Sequence, residues 1–356
     1  MGDGGSPNDR LGERVSRSHD PPRRLQSVED STLAARIVRR CAMRYAAGAD
    51  AAQDRPEHVR AASGLAWVGE RLAVIQDDAS FLALVDPATG LADALALPPG
   101  VGGLRQFDDG RGNKAGKLDL EALAILPASQ GVLLAAFGSG SMAPRETVVL
   151  ISFPVGRDVR ITLRSASELY AALRVAADFA GSEMNVEGAV RVGGVLTLFG
   201  RGNGAVRGEI RPVNASCEIP VRELMAYLED TTATSSPTPR HVRQYALGAL
   251  DDVALGQGGA ILYSAAAEAS PDATRDGEVV GSAVGVIDAQ GTGRWTRLRD
   301  EGGSVFAGKV EGLTLDPDRP DRLFAAIDSD DHRQPSELLE VHLLGSWARA
   351  RAVRQH

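Results

Sequence analysis

Cysteine is nearly absent from the 356 residues: Cys41 and Cys217 are the only two. A pair so far apart along the chain makes no disulfide framework and has no metal-ligand spacing, so both read as small core residues. Aromatic residues are 4% of the chain, and Trp67, Trp295 and Trp347 show none of the regular interleaving that stacks nucleic-acid bases. Positive charge is in deficit, with 39 Lys and Arg against 47 Asp and Glu and a net charge of −8. That argues against a phosphate-neutralising nucleic-acid surface and against a polybasic membrane anchor. No apolar run approaches the ~18 residues of a membrane span. The opening "MGDGGSPNDRLGERVSRSHDPPRR" lacks the apolar core of a signal peptide. A cytoplasmic protein is the expectation, with export open if the true start lies elsewhere. The zincin H-E-x-x-H, a Cys/His cluster and the G-x-S-x-G elbow are missing too, which removes the usual forms of zinc and serine-hydrolase chemistry.

Glycine, by contrast, is abundant at 40 residues, as many short strands and tight turns require. Residues 1–32 are polar and rich in Gly and Pro, and predict a disordered tail ahead of a single domain over 33–350. Within that domain five segments align: "SGLAWVGERLAVIQDD", "LEALAILPASQGVLLAAFGSGS", "VEGAVRVGGVLTLFGRGN", "DDVALGQGGAILYSAAAE" and "VEGLTLDPDRPDRLFAAIDSDD". Each is a short apolar strand, a turn, and a second apolar strand that ends in small or polar residues. Their opening positions, Ser63, Glu121, Glu187, Asp252 and Glu311, are 58, 66, 65 and 59 residues apart. Each interval has room for two further strands. A four-stranded antiparallel unit at this period reads as an all-β propeller of five blades, with six as the alternative. "ARIVRRCAMRYAAG" (35–48) is placed to pair with the last unit and close the ring. Two short helical inserts interrupt the pattern. "SASELYAALRVAADFA" carries Leu169, Leu173 and Ala176 on one face with Ser167 as N-cap, and "VRELMAYLED" follows later.

Why should buried-looking strands open on a charge? If the opening residue begins the innermost strand of each blade, Glu121, Glu187, Asp252 and Glu311 gather at one mouth of a central channel. The antiparallel second strand ends beside that start. It brings Gln76, Asp77 and Asp78, then Arg201 and Asn203, then Glu268, then Asp328, Asp330 and Asp331 to the same mouth. Two carboxylates ~5 Å apart repel by roughly 3 kcal/mol at an effective dielectric near 20, so the crown needs a cation, neighbouring bases or raised pKa values. Lys117, Arg201 and Lys309 are the local bases. An oxygen-only donor set suits Ca2+ or Mg2+. On the metal reading, Glu187, Asn203, Glu311 and Asp328 hold the ion, while Asp77, Asp78, Glu121, Arg201, Asn203, Asp252, Glu268 and Asp330 line the ligand site. Glu187, Arg201 and His332 are then the candidate catalytic groups, with His332 either a general base or a solvated loop residue. On the structural reading, the opening acids accept backbone N–H groups from the next blade and fix its register. "FGSGSMAPRE", which contains Arg145, offers backbone N–H groups to a phosphate but lacks the Lys-Ser/Thr ending of a P-loop, and reads equally as a turn between strands.

The segments "DLEALAILP", "NVEGA…LFGRGN", "LYSAAAE…DGEVVGSAVGVID" and "KVEGL…DSDDHRQPSELLEV" resemble an uncharacterised bacterial family, a domain of unknown function similar in pattern to the phytase-like and esterase-like β-propellers. The resemblance covers about residues 60–345. It implies channel carboxylates and a bound Ca2+ in a phosphatase-, esterase- or lactonase-like group, and supplies no established reaction. Two functions follow as expectations. One is a metal-dependent hydrolase of a small ester or phosphoester at the channel mouth. The other is a non-catalytic propeller that binds a small ligand or a protein of unknown identity.

Overall fold

The structure, a computed structural model, describes residues 24–202, 204–230, 236–246, 249–255, 259–268, 279–288 and 291–347. At 249–251, 254–255, 267–268 and 279–280 it describes backbone only. Three strands come first: β1 (Arg24–Glu29), β2 (Leu33–Ala42) and the short β3 (Arg44–Tyr45). Four antiparallel units follow in chain order. They are β4 (Ala62–Val68), β5 (Arg71–Gln76), β6 (Phe81–Val85) and β7 (Leu91–Ala96); then β8 (Leu120–Leu126), β9 (Val132–Gly138), β10 (Thr147–Phe153) and β11 (Arg160–Ser165); then β12 (Val186–Val192), β13 (Val195–Gly200), β14 (Asn214–Pro220) and β15 (Arg240–Ala246); then β16 (Ala249–Leu255), β17 (Ile261–Glu268), β18 (Val279–Ile287) and β19 (Gly293–Arg299). The last unit is β20 (Lys309–Leu315), β21 (Arg322–Asp328) and β22 (Glu337–Gly345), completed by β2, whose Leu33 lies opposite Gly345 and whose Ala42 lies opposite Glu337. The segment expected to pair with the last unit does so.

The innermost strands contact one another in sequence: β4 with β8, β8 with β12, β12 with β16, β16 with β20, and β20 with β4. Because each is covered on both faces, β4 and β12 read as near-continuous buried runs, while the outer strand β2 alternates buried and exposed. The apolar core sits in the seams. One cluster joins Leu118, Leu134 and Val149 of the second unit to Ile75 and Leu82 of the first, and another joins Phe81 of the first to Phe324 of the last.

The first residues of each inner strand explain the repeated charge. The pairing register slips between Leu120 and Ala122, Val186 and Gly188, Leu250 and Asp252, and Val310 and Gly312; in the first unit it slips between Ala62 and Leu65. The skipped residues Glu121, Glu187 and Glu311 are therefore bulged out of the ladder. The residue after each bulge meets the next inner strand. A Cβ added at Gly188 would stand 2.8 Å from Val253, and one at Gly312 would stand 2.5 Å from Leu65 and 2.6 Å from the Ser63 carbonyl. Glycine is required there by close approach.

This register corrects one expectation. In the fourth unit the bulged residue is Asp251, not Asp252. Asp252 occupies the close-approach position, is buried, and accepts the Leu313 N–H of the next inner strand at 2.8 Å on Oδ2. Ser63, at the first opening, donates its hydroxyl to the Leu120 carbonyl at 2.5 Å. Asp252 is an inter-unit clamp of the kind the structural reading anticipated, while Ser63 clamps in the opposite sense, as a donor. Asp252→Ala strands the Leu313 N–H, and a loss of about 1–3 kcal/mol in unfolding free energy is expected by urea titration.

Other boundaries move as well. The tail expected to run through residue 32 gives way by Arg24 to β1, which pairs in parallel with β15 through Arg24–Gln26 and with β19 through Ser27–Glu29. Leu25 is buried beside Tyr245 and Ile287. "RLQSVE" is polar by composition, and backbone pairing to two sheet edges orders it, which composition does not register. The first helical insert is two helices, α1 (Ser167–Val175) and α2 (Ala177–Ala180), interrupted at Ala176, whose ψ of 75° is not helical. Ser167 is the first helical residue, and the cap position is Ala166, without a side-chain cap. The second insert is α3 (Val221–Glu229). Leu169, Leu173, Phe179, Leu224 and Leu228 bury these helices over the seam between the second and third units. Among the described residues no helix is long and apolar enough to cross a membrane.

Candidate functional site

A cavity of about 320 Å3 opens where the inner strands begin. Three bulged residues from three units meet in it: carboxylate oxygens of Glu121, Glu187 and Glu311 lie within 4.8 Å of one another. Asp77, Asp119 and Glu121 form a second group with the same spacing, so Glu121 belongs to both. Asp328 lines the same cavity outside these groups.

Bases interleave with the acids. Lys117 pairs with Asp77 and, at 2.6 Å, with Asp119. Arg145 reaches the other Asp119 oxygen at 2.8 Å, and the Ser139 hydroxyl donates to Asp119 as well. Arg201 stands 3.6 Å from Glu187, both buried, and Asn185 donates to Glu187 at 2.6 Å. Lys309 reaches Glu311 at 2.5 Å. A rule emerges that the repeats had concealed: two residues before each opening Glu stands a polar residue, Asp119, Asn185 or Lys309. All three line the cavity beside the Glu. Asn185 and Lys309 hold their own Glu directly.

These neighbours set the protonation. Burial, with the charges of Asp77, Glu187 and Asp119, holds Glu121 well above the usual carboxylate range. Among the described residues Glu121 has no Lys or Arg within ion-pair distance. Asp77 is pushed up to about 7 by burial and by Asp119, against the pull of Lys117. Burial also opposes ionisation of Asp119, but Lys117, a hydrogen bond from Asp77 and Arg145 together keep it below the usual range. Asp77 is therefore the member of that pair which keeps a proton. Burial and the Asp330 charge raise Asp328 well above its ordinary value, with Lys309 opposing. The cavity thus combines carboxyl groups whose ionisation is disfavoured by burial with fixed cations, a set that can exchange protons, ligate a hard cation or hold an anion.

Of the residues singled out from sequence, the structure brings Asp77, Glu121, Glu187, Arg201, Glu311 and Asp328 to this cavity. Others lie elsewhere. Asp78 takes two hydrogen bonds from Arg60, Nε at 2.8 Å and Nη2 at 2.5 Å, in a buried pair away from the cavity. Asp77 and Asp78 are neighbours in the chain, so their side chains take opposite directions. Asp252 is the seam residue described above. Asp330 is exposed, 3.8 Å from Lys309, in an adjoining groove. His332 is exposed and outside the cavity lining. Its carbonyl accepts from His58 Nε2 at 3.3 Å, and the neighbouring Asp331 folds back onto Arg333. A general-base role for His332 in this cavity therefore has no geometry behind it. Asn203 and the Glu268 side chain lie outside the described residues. Asp119, Asn185 and the cavity position of Arg145 were not foreseen.

Among solved structures, the fold is similar to Myxococcus xanthus glutaminyl cyclase, at 11% identity and TM-score 0.45 over 90% of this chain and 99% of that one. It is also similar to a putative gluconolactonase, at 12% identity and TM-score 0.37 over 80% and 75% of the two chains. The β-propeller domain of Myceliophteria thermophila Cps50 (Swd1) is similar at 12% identity and TM-score 0.31, over 78% and 69%. Likeness at this level concerns fold and carries nothing about chemistry. No curated protein matches. Residues 58–343 match a family of unknown function, DUF6929, and the chain belongs to that family.

Proposed function

We propose that the five units are the blades of a propeller closed by β2, and that the axial cavity is a hydrolytic site. A divalent cation is held by Glu121, Glu187 and Glu311, and the substrate is a small ester or phosphoester. The observation that carries this reading is Glu121. It is a carboxyl common to both acidic groups, without a base of its own, and disfavoured as an anion by burial and by the acids around it. Oxygens within 4.8 Å of one another suit Ca2+, whose Ca–O distances are about 2.3–2.6 Å. Such an ion supplies Lewis-acid polarisation and an activated water. Arg201, buried at the cavity wall, holds an anionic portion of the substrate. A volume of about 320 Å3 matches a small molecule.

One observation favours the non-catalytic reading. Lys117, Arg201 and Lys309 already neutralise much of the ring, so a ligand-binding propeller needs no ion. Thermal melting after EDTA treatment, followed by Ca2+ or Mg2+ titration, separates the two. A saturating rise in Tm is expected, reaching about 2.7 kcal/mol of stabilisation at a hundredfold excess over Kd. Chromogenic ester and phosphoester substrates are then expected to turn over only with the ion. Melting that ignores both ions removes the cation site, and ion binding without turnover leaves the non-catalytic propeller.

A further inference from the structure

Arg145 is held in the cavity wall in an unusual state of incomplete pairing. The loop between β9 and β10 makes a single turn at Ala143–Arg145, closed by the Arg145 N–H to the Met142 carbonyl at 2.9 Å. This turn delivers the side chain to the cavity, where it is only 8% exposed. Its Nη1 donates to Asp119 Oδ2 at 2.8 Å and to Ser141 Oγ at 2.9 Å. Its Nε is buried and has no partner; Nη2 is not one of the buried unpartnered atoms, and among the described residues the hydrogen bonds of the side chain come from Nη1 alone. A guanidinium is planar, so fixing Nη1 also fixes the opposite edge, on which Nε–H and one Nη2–H point the same way.

Charge repeats the pattern. Asp119 is shared between Arg145 and Lys117, and Lys117 is shared again with Asp77. Arg145 thus has half a carboxylate for a whole positive charge, in a buried position where unpaired donors are rare.

We propose that the Nε/Nη2 edge of Arg145 is an anion subsite, and that the natural ligand of the cavity carries a carboxylate or phosphate group docked on it through two parallel hydrogen bonds. Two syn oxygens on one anionic group are the chemistry that matches this fork. The backbone N–H groups of the Gly/Ser loop are not required: Ser139 N–H and Gly140 N–H are already taken by the Asp119 and Arg145 carbonyls. The subsite does not depend on the cation reading, and it restricts the ligand to acidic small molecules whether or not they are turned over.

Calorimetric titration in EDTA tests it, using inorganic phosphate and, separately, acetate, with chloride as the ionic-strength control. Saturable binding of one of them to the wild type is expected, and which one binds assigns the group as phosphate or carboxylate. Arg145→Lys keeps the charge and the reach to Asp119 but removes the fork, and is expected to weaken binding roughly 10- to 100-fold, the worth of one charge-assisted hydrogen bond. If that variant does not fold, crystals of the wild type soaked in the bound anion serve instead, with density expected within hydrogen-bond distance of both Nε and Nη2. No saturable binding of either anion, equal affinity in the Lys variant, or density away from Arg145 overturns the proposal.

Discussion

Replacing Arg60 with Ala is expected to lower the unfolding free energy by about 3–5 kcal/mol, the typical result of removing one partner from a buried ion pair. Arg60 is 2% exposed and spends all its donors internally. Nε and Nη2 grip Asp78, Nη2 also reaches the Phe107 carbonyl at 2.9 Å, and Nη1 reaches Gln106 at 3.2 Å and stands 3.5 Å from Asp108. Its loss leaves the buried Asp78 without its counter-ion, while Asp108 keeps Arg111 at 3.5 Å. Urea unfolding monitored by tryptophan fluorescence measures the effect. The double replacement Arg60→Met with Asp78→Leu is expected to recover part of the loss, since it withdraws one stranded charge and fills the volume. A single variant within about 1 kcal/mol of wild type would show that the pair is solvated in solution.

The second large effect belongs to Glu121→Gln, and its sign depends on pH. The folded state holds the Glu121 proton more tightly than the unfolded chain does. Below the ordinary glutamate value of 4.5 both states are protonated, and the residue contributes nothing. As pH rises past that value the unfolded chain releases its proton first, so the folded state loses relative stability until its own, higher pKa is passed. Asp77 acts in the same direction between 3.8 and about 7. In EDTA, Glu121→Gln is therefore expected to be more stable than wild type at pH 7, with the gain growing as pH rises from 4.5. The advantage should vanish below pH 4. The same variant is expected to lose the Ca2+- or Mg2+-induced rise in Tm. Equal melting of variant and wild type across this range would mean that Glu121 is solvated and ionised.

The repeat itself was legible, because strand pairs of matched length and their turns recur at one period. "VGGV", for example, folds as a two-residue loop that sets Val192 opposite Val195. The convergence of Glu121, Glu187 and Glu311 was legible for the same reason. Two adjacent acid pairs were harder to place. Asp77-Asp78 puts one acid in the cavity and the other on Arg60, and at Asp251-Asp252 the bulge falls one residue from the expected position, an ambiguity that reverses every side chain. In both pairs the displaced residue, Asp78 or Asp252, found a structural partner, Arg60 or Leu313, that is distant in sequence and carries no local signal. Arg145 was visible as a loop residue, but its place in the wall depends on Asp119, whose backbone adopts the left-handed φ of 57°. No pattern around "KLDLE" announces that conformation. The alternation Lys117, Asp119, Glu121 was nevertheless readable at a period of two, and it is the signal that would have found Asp119.

The pairing of β2 with β22 has a consequence for how the molecule is made. One unit is assembled from strands with all the other units between them in the chain, so β2 must wait with an open edge until β22 has been made. Pairings this distant in sequence are slow to form. During that interval a neighbouring nascent copy offers the same β22, and exchange of β2 between two chains is the error to which this topology is most exposed.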